Sequence, residues 1–381
     1  MRCRFLLENL HIPIFCSNFA QNFTTMELQE IFSQRLKNAR IRKGLSNRGL
    51  ADAMKNVVSA ETLRNYENGK SFPNSDIMER LMAVLDVKID DLFRPFTINW
   101  ANVSFNFRKR KSLSKTQEDI VMQQIKDDAE HYIELEETLG IAPTINGLIN
   151  HCHRNTVRSA SDARTIAQSV RRYLNLSEEP IVSLQDVVER CGVKLLPVAI
   201  EAKMDGVNFE CNGHVFICYK SGNENVERSR FTIAHELGHL LLNIPEQYEE
   251  DVERFCDAFA SELILPASKL KQLLGENRHN ISLAELRQIQ SLFGISVDAI
   301  MYSAKEHNII TENRFRTYFI VKRGNEKLAG EIDKSLFQED DKNRYKALVY
   351  RALSSEIITV SKAAYFLHSN VQEVSSNLNL V

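Results

Sequence analysis

The twelve residues Phe231–Leu242, Phe-Thr-Ile-Ala-His-Glu-Leu-Gly-His-Leu-Leu-Leu, constrain this chain more than any other stretch. Residues four apart share one face of a helix, so His235 and His239 can bring two imidazole nitrogens to a single metal ion. Glu236, beside the first histidine, can take the proton of a water activated by that metal. Ile233, Ala234, Leu237, Leu240 and Leu241 frame these residues, which predicts a buried helix with one polar stripe on a cleft. A surface helix with two chance histidines is the alternative, and the apolar frame argues against it. The pattern points to zinc.

Two histidines do not complete a catalytic zinc site, where three protein ligands plus water are usual. The next acidic helix, Glu249 to Leu265, offers several carboxylates. At about 100° per residue, Glu253 and Asp257 share a face, whereas Glu262 lies roughly 180° away from Glu253. Glu253 is therefore the expected third ligand, with Glu249 and Glu250 as alternatives. Asp257 is placed to accept a hydrogen bond from the far nitrogen of a ligating histidine and fix its tautomer. His151, His153 and His214 have no helical partner at the right offset and read as non-ligands. Arg228, Arg230, His214 and Tyr219 are candidate oxyanion donors by position only.

A chain of 381 residues has room for two or three domains. Its net charge of −2 hides an uneven distribution. Ile31 to Pro95 holds twelve Lys/Arg against eight Asp/Glu, Arg108–Lys111 is wholly basic, and Glu246 to Glu253 is acidic. A basic front half suits a phosphate backbone. Seven cysteines, an odd number with no C-x-x-C pair, read as reduced thiols in a cytoplasm. No apolar run approaches the roughly 18 residues of a membrane span. Residues 1–27 read as a disordered leader, or as sequence upstream of a start at Met26.

Residues 28–95 show five short helices. Ile31, Leu36 and Ala39 line the first, Ser46 and Ser59 cap the second and third, Asn68-Gly69 stops the third, and Pro73 with Ser75 opens the fourth. A capped helix, a brief turn and a second capped helix make a helix-turn-helix, which lays its second helix in the major groove. Arg35-Leu36, Arg40, Lys43-Gly-Leu-Ser46, Leu50-Ala51, Val58-Ser59, Tyr66-Glu-Asn-Gly69, Pro73 and Leu92-Phe93 resemble the XRE (Cro/repressor-type) DNA-binding domain. This chain departs from that pattern at Lys55-Asn56, an apparent insertion in the turn, and at Asn47, where the family often has a phosphate-contacting glutamine. The resemblance implies a face of Ala60, Glu61, Arg64 and Asn65 against double-stranded DNA, with Arg64 and Asn65 reading base edges. Arg48, Lys70 and Lys43 are the candidates for phosphate contacts. A five-helix bundle that binds a protein instead is the other reading.

Residues 96–143 hold a basic connector and a long helix. Ser114 with Gln117 resembles a capping box, Gly140 stops the helix, and Ile120, Val121, Ile125, Ala129, Tyr132, Ile133 and Leu139 form one stripe. That stripe can pack on the next domain or on a second copy in a homodimer. Within 144–306, helices are expected over Ser161–Leu174 and Leu184–Arg190. Strands are expected over Val193–Val198, Val207–Phe209 and His214–Tyr219, the last two joined by a hairpin at Asn212-Gly213. The strand before the zinc helix is expected to offer its edge to an extended peptide. Two small helices follow, Ser282–Leu292 and Val297–Lys305. Residues 307–381 read as an α/β region with a strand at Phe315–Arg323, helices at Arg344–Ser354 and Val360–Leu367, and a faint helix-turn-helix mimic near His368.

Arg230–Leu242, Glu253, Cys256-Asp257, Phe259-Ala260, Glu262–Pro266 and Asp205-Gly206 resemble the ImmA/IrrE metallo-endopeptidases, with Cys256 where that family usually has alanine. The expected fold is mainly α with a small β-sheet: an N-terminal all-α helix-turn-helix domain, then an α+β gluzincin-like zinc peptidase domain. The resemblance implies a cytoplasmic DNA-binding transcriptional regulator with zinc-dependent endopeptidase activity. Its substrate would be a repressor, another regulatory protein or the chain itself, in a stress, phage or mobile-element/toxin-antitoxin circuit. The alternative is a DNA-binding regulator or antitoxin whose peptidase-like domain is a non-catalytic sensor or partner-binding module. A small-molecule metallohydrolase is a third reading.

Overall fold

The computed structural model describes residues 25–107, 114–142, 146–198, 206–220, 226–338 and 343–378. Most of the expected leader, the basic run Arg108–Lys111 and Asp205 lie outside the described residues. The chain divides into two compact units, and the division falls within one long helix.

In the first unit, α1 (Thr25–Arg42), α2 (Asn47–Ala53), α3 (Ala60–Glu67), α4 (Ser75–Leu85) and α5 (Ile89–Phe93) enclose a core of Phe32, Leu36, Leu50, Leu63, Leu81 and Leu92. Phe32, not Ile31, joins Leu36 as the fully buried pair of α1. The Ser46 hydroxyl accepts the Gly49 N–H and the Ser59 hydroxyl accepts the Thr62 N–H, each at 3.0 Å. Both caps thus form as expected, because each satisfies a backbone donor that the helix itself cannot. The fourth helix is capped one residue earlier than expected, by Asn74, which accepts the Ile77 N–H at 3.0 Å.

Arg40 grips Glu67 with two guanidinium nitrogens and gives a third hydrogen bond to the Leu45 carbonyl at 2.7 Å. This ties α1 to α3 and to the turn before α2. Glu67 is 6 % exposed, so Arg40→Ala strands a carboxylate away from water. That change is expected to lower the unit's unfolding free energy by about 3 kcal/mol, read by denaturant titration.

The long helix α6 (Lys115–Thr138) starts at the expected box: Ser114 and Gln117 exchange backbone-to-side-chain hydrogen bonds. Its stripe, Val121, Ile125, Ala129, Tyr132 and Ile133, is buried within the chain itself, so the stripe needs no second copy to cover it.

The second unit carries α7 (Asn146–Cys152), α8 (Ala160–Tyr173), α9 (Leu184–Arg190) and a four-stranded sheet. β1 (Phe105–Phe107), β2 (Val193–Val198), β3 (Gly206–Cys211) and β4 (His214–Lys220) lie in the order β1-β3-β4-β2. The β3–β4 hairpin turns on Asn212 and Gly213, both at positive φ (49° and 75°), as a two-residue hairpin requires. β4 is central, antiparallel to β3 and parallel to β2. The expectation that the strand before the zinc helix offers an edge to a peptide is therefore wrong, since its backbone groups already pair on both sides.

Beyond the sheet come α10 (Val226–Leu241), α11 (Val252–Ile264), α12 (Ala267–Leu274), α13 (Leu283–Phe293) and α14 (Val297–Glu306). They share a core with α8 and α9 through residues such as Ile166, Val188, Leu237, Phe259 and Phe293.

The strand expected at Phe315–Arg323 is a helix, α15 (Glu312–Gly324). The run of aromatic and β-branched residues favours a strand locally. Thr311 nevertheless caps a helix by accepting the Arg314 N–H, and the Phe319 ring meets those of Phe315, one helical turn before it, and Tyr318 edge-to-face. After α16 (Glu326–Asp333), the chain ends in α17 (Arg344–Ser354), α18 (Val360–Phe366) and α19 (Val371–Asn377). The described part of 307–381 is thus helical, not α/β. Among the described residues no helix is long and apolar enough to cross a membrane.

Candidate metal centre

Helix α10 is inward-facing over most of its length, and His235 and Glu236 are buried with Ile233, Ala234 and Leu237. One turn separates the two histidines, and their Nε2 atoms converge to 3.1 Å. Asp257 on α11 lies 2.7 Å from His235 Nδ1. A carboxylate can only accept there, so Nδ1 carries the proton and Nε2 keeps its lone pair for a metal.

Glu253, one turn before Asp257, places Oε1 3.2 Å from His239 Nε2 and Oε2 3.5 Å from His235 Nε2. Glu262 points the other way: it is buried, accepts from Gln168 at 2.8 Å and from the Ala267 N–H at 3.2 Å, and burial pushes its carboxyl up. Glu249 and Glu250 are exposed on the 3-10 segment Glu246–Asp251. Two imidazole nitrogens and a carboxylate meeting within hydrogen-bond distance make a donor set that fits zinc.

The other histidines lie elsewhere. His151 stacks on Tyr173, His153 Nε2 is 3.2 Å from the Leu240 carbonyl, and His214 Nδ1 is 3.3 Å from Glu136. Glu136 also pairs with Lys194 at 3.0 Å and Arg344 at 2.7 Å. Burial would raise this carboxyl, but the His214, Lys194 and Arg344 partners outweigh it and hold it at about 2.

Arg230 is fully buried, its guanidinium committed to the carbonyls of Ile181 and Gly294 and stacked on Phe337. Of the positional oxyanion candidates, His214 and Arg230 are therefore structural.

Two residues of β3 shape the site, and only their alternation in a buried strand hints at it. Asn208 donates to Glu236 Oε2 at 2.7 Å. Gly206, two residues earlier on the same face of the strand, lets the carboxylate lie against the backbone; a Cβ there would sit 2.7 Å from Glu236 Oε1. A polar asparagine between Val207 and Phe209 was the legible signal. Removing this hydrogen bond by Asn208→Ala is expected to cut turnover roughly 10-fold while bound metal and KM stay unchanged. Steady-state kinetics with metal analysis would check this.

Gly238, between the two histidines, permits a close approach of α11. A Cβ there would lie 3.2 Å from the Phe259 ring and 3.3 Å from Cys256 Cα. Cys256 is fully buried, and one ligand atom from each of His235, His239 and Cys256 lies within 4.8 Å of the other two.

Residues 189–305 match the family model of the IrrE N-terminal-like domain, peptidase family M78, and residues 36–92 match a helix-turn-helix model. The chain joins a helix-turn-helix domain to an IrrE-like domain. The IrrE-like match takes in α10 and α11 with all the metal-site candidates, and runs past Pro266 through α12 and α13 into α14. No curated protein matches the chain.

In the helix-turn-helix domain, α3 presents Glu61 and Arg64 to solvent, with Ala60 and Asn65 half-buried and Arg48 and Lys70 exposed. Glu61 and Arg64 pair with each other at 2.8 Å, and Lys43 lies 3.4 Å from Asp86. The Asn47 amide nitrogen is buried without a hydrogen-bond partner, so it does not stand ready for a phosphate. Lys55 and Asn56 both adopt left-handed backbone (φ 57° and 55°), which is how the lengthened turn closes.

Proposed function

We propose that this chain is a cytoplasmic DNA-binding transcriptional regulator whose IrrE-like domain is a zinc endopeptidase acting on a protein, either a repressor or the chain itself. The observation that carries this reading is the convergence of His235, His239 and Glu253, with Glu236 buried beside them on the same helix. A bound zinc would supply Lewis acidity, lowering the pKa of a water and polarising the scissile carbonyl. Glu236, steadied by Asn208, accepts the proton of the attacking water and returns it to the leaving amine. Asp257 keeps His235 in the tautomer that leaves Nε2 open.

The purified chain should hold about one zinc, and cleavage of itself or of candidate repressors should stop on chelation. A chain that binds no zinc and cuts none of these proteins would overturn the reading. Zinc bound without any cleavage would favour the sensor reading instead.

On the DNA side, α3 enters the major groove, with Arg64 and Asn65 on base edges and Arg48 and Lys70 on phosphates. Arg64 must leave Glu61 to reach a base. Arg64→Ala is expected to weaken specific binding on the order of 10-fold and to relax sequence preference, whereas Glu61→Gln strengthens binding and steepens its salt dependence less than one added cation would. Unchanged binding by Arg64→Ala in a titration of the operator would remove this residue from the recognition face.

A further inference from the structure

We propose that Cys256 is itself a metal donor, so that the centre in this chain is held by a thiolate as well as by imidazoles. The assignment rests on the reading of His235 and His239 as metal ligands. It adds a residue that the spacing of the histidine motif does not supply.

Helix α11 turns three neighbouring residues toward α10. Glu253, Cys256 and Asp257 stand at offsets of three and four, which places them on one face. Asp257 is committed to His235 Nδ1, and Glu253 approaches the two Nε2 atoms from the solvent side, its side chain 53 % exposed. Cys256 approaches from the interior. It is fully buried, and its backbone lies against Gly238, midway between the histidines on α10. One ligand atom from each of His235, His239 and Cys256 lies within 4.8 Å of the others. Two imidazoles and a thiol converging from two helices are the donor types that zinc takes most readily.

The competing account is a thiol used as a small core residue. Cys152 and Cys191 serve that way: burial pushes their thiols up to about 11 and about 12, and Cys191 spends its S–H on the Val187 carbonyl. Among the described residues no other cysteine joins a cluster of potential metal ligands. A soft thiolate also biases the centre toward zinc and cobalt over manganese or magnesium.

The test uses the full chain loaded with Co(II) alone. The expected spectrum has visible bands from the metal centre and an intense near-ultraviolet band from sulfur-to-cobalt charge transfer. Cys256→Ala and Cys256→Ser keep the visible bands and lose the near-ultraviolet band, and their cobalt affinity falls on the order of 10- to 100-fold. Cys152→Ala keeps both. Visible bands without charge transfer, or a charge-transfer band that survives in Cys256→Ala, overturn the assignment and leave the histidine–carboxylate centre standing. Failure of the unaltered chain to bind cobalt overturns the metal centre and the assignment together.

Discussion

Glu236→Gln is expected to lower peptide cleavage by about 10²- to 10⁴-fold while the bound zinc stays at its original level. The expectation follows from position. Glu236 lies next to His235 on α10 but belongs to neither the Nε2 pair nor the Glu253 contact, so its loss leaves the donor set intact. Glutamine keeps the shape that Gly206 and Asn208 accommodate and removes only the ability to take a proton. Metal analysis and cleavage assays on the same preparation separate the two effects. Unchanged cleavage with full zinc would remove Glu236 from the chemistry, and loss of zinc would show that it holds the metal.

The second large effect concerns stability. Arg230→Ala is expected to cost about 3–5 kcal/mol of unfolding free energy, read by denaturant titration of the whole chain. Arg230 sits one turn before the histidine motif with no exposed surface. Its guanidinium bonds the Ile181 carbonyl at 2.7 Å and the Gly294 carbonyl at 3.2 Å, with the Phe337 ring 4.3 Å away. Truncation leaves those carbonyls without their donor and opens a cavity the length of the side chain. Glu227, three residues earlier, is an equally buried anchor: it accepts from Gln290 at 3.0 Å and from the Leu336 N–H at 2.9 Å. A loss below about 1 kcal/mol would show that the lattice around Arg230 collapses onto water at little cost.

Arg230 also marks where sequence reasoning went astray. Arg230 was considered for an oxyanion because it adjoins the motif, yet adjacency along a helix says little about direction: five residues before His235, the side chain faces another wall. The strand at Phe315–Arg323 failed for a related reason. Its β-branched and aromatic residues carry a local preference that the Thr311 cap and the packing of Phe315, Tyr318 and Phe319 override.

What could be read from the chain alone was whatever depends on spacing within a helix. The offset of four sets His235 beside His239, the same offset sets Glu253 beside Asp257, and Ser46, Ser59 and Ser114 announce their helices because a cap acts on donors two or three residues away. The helix-turn-helix is legible for that reason, since its recognition geometry is built from short, locally capped helices. The contacts that complete the candidate site are of another kind. Asn208 and Gly206 reach Glu236 across 28 and 30 positions of sequence, and Cys256 reaches the histidines only because Gly238 lets α11 close on α10. The parallel pairing of β2 with β4, along the edge that the β3–β4 hairpin leaves open, is likewise not a local contact. Such contacts are set by how apolar faces pack together, and no local periodicity encodes which polar side chains that packing brings into reach.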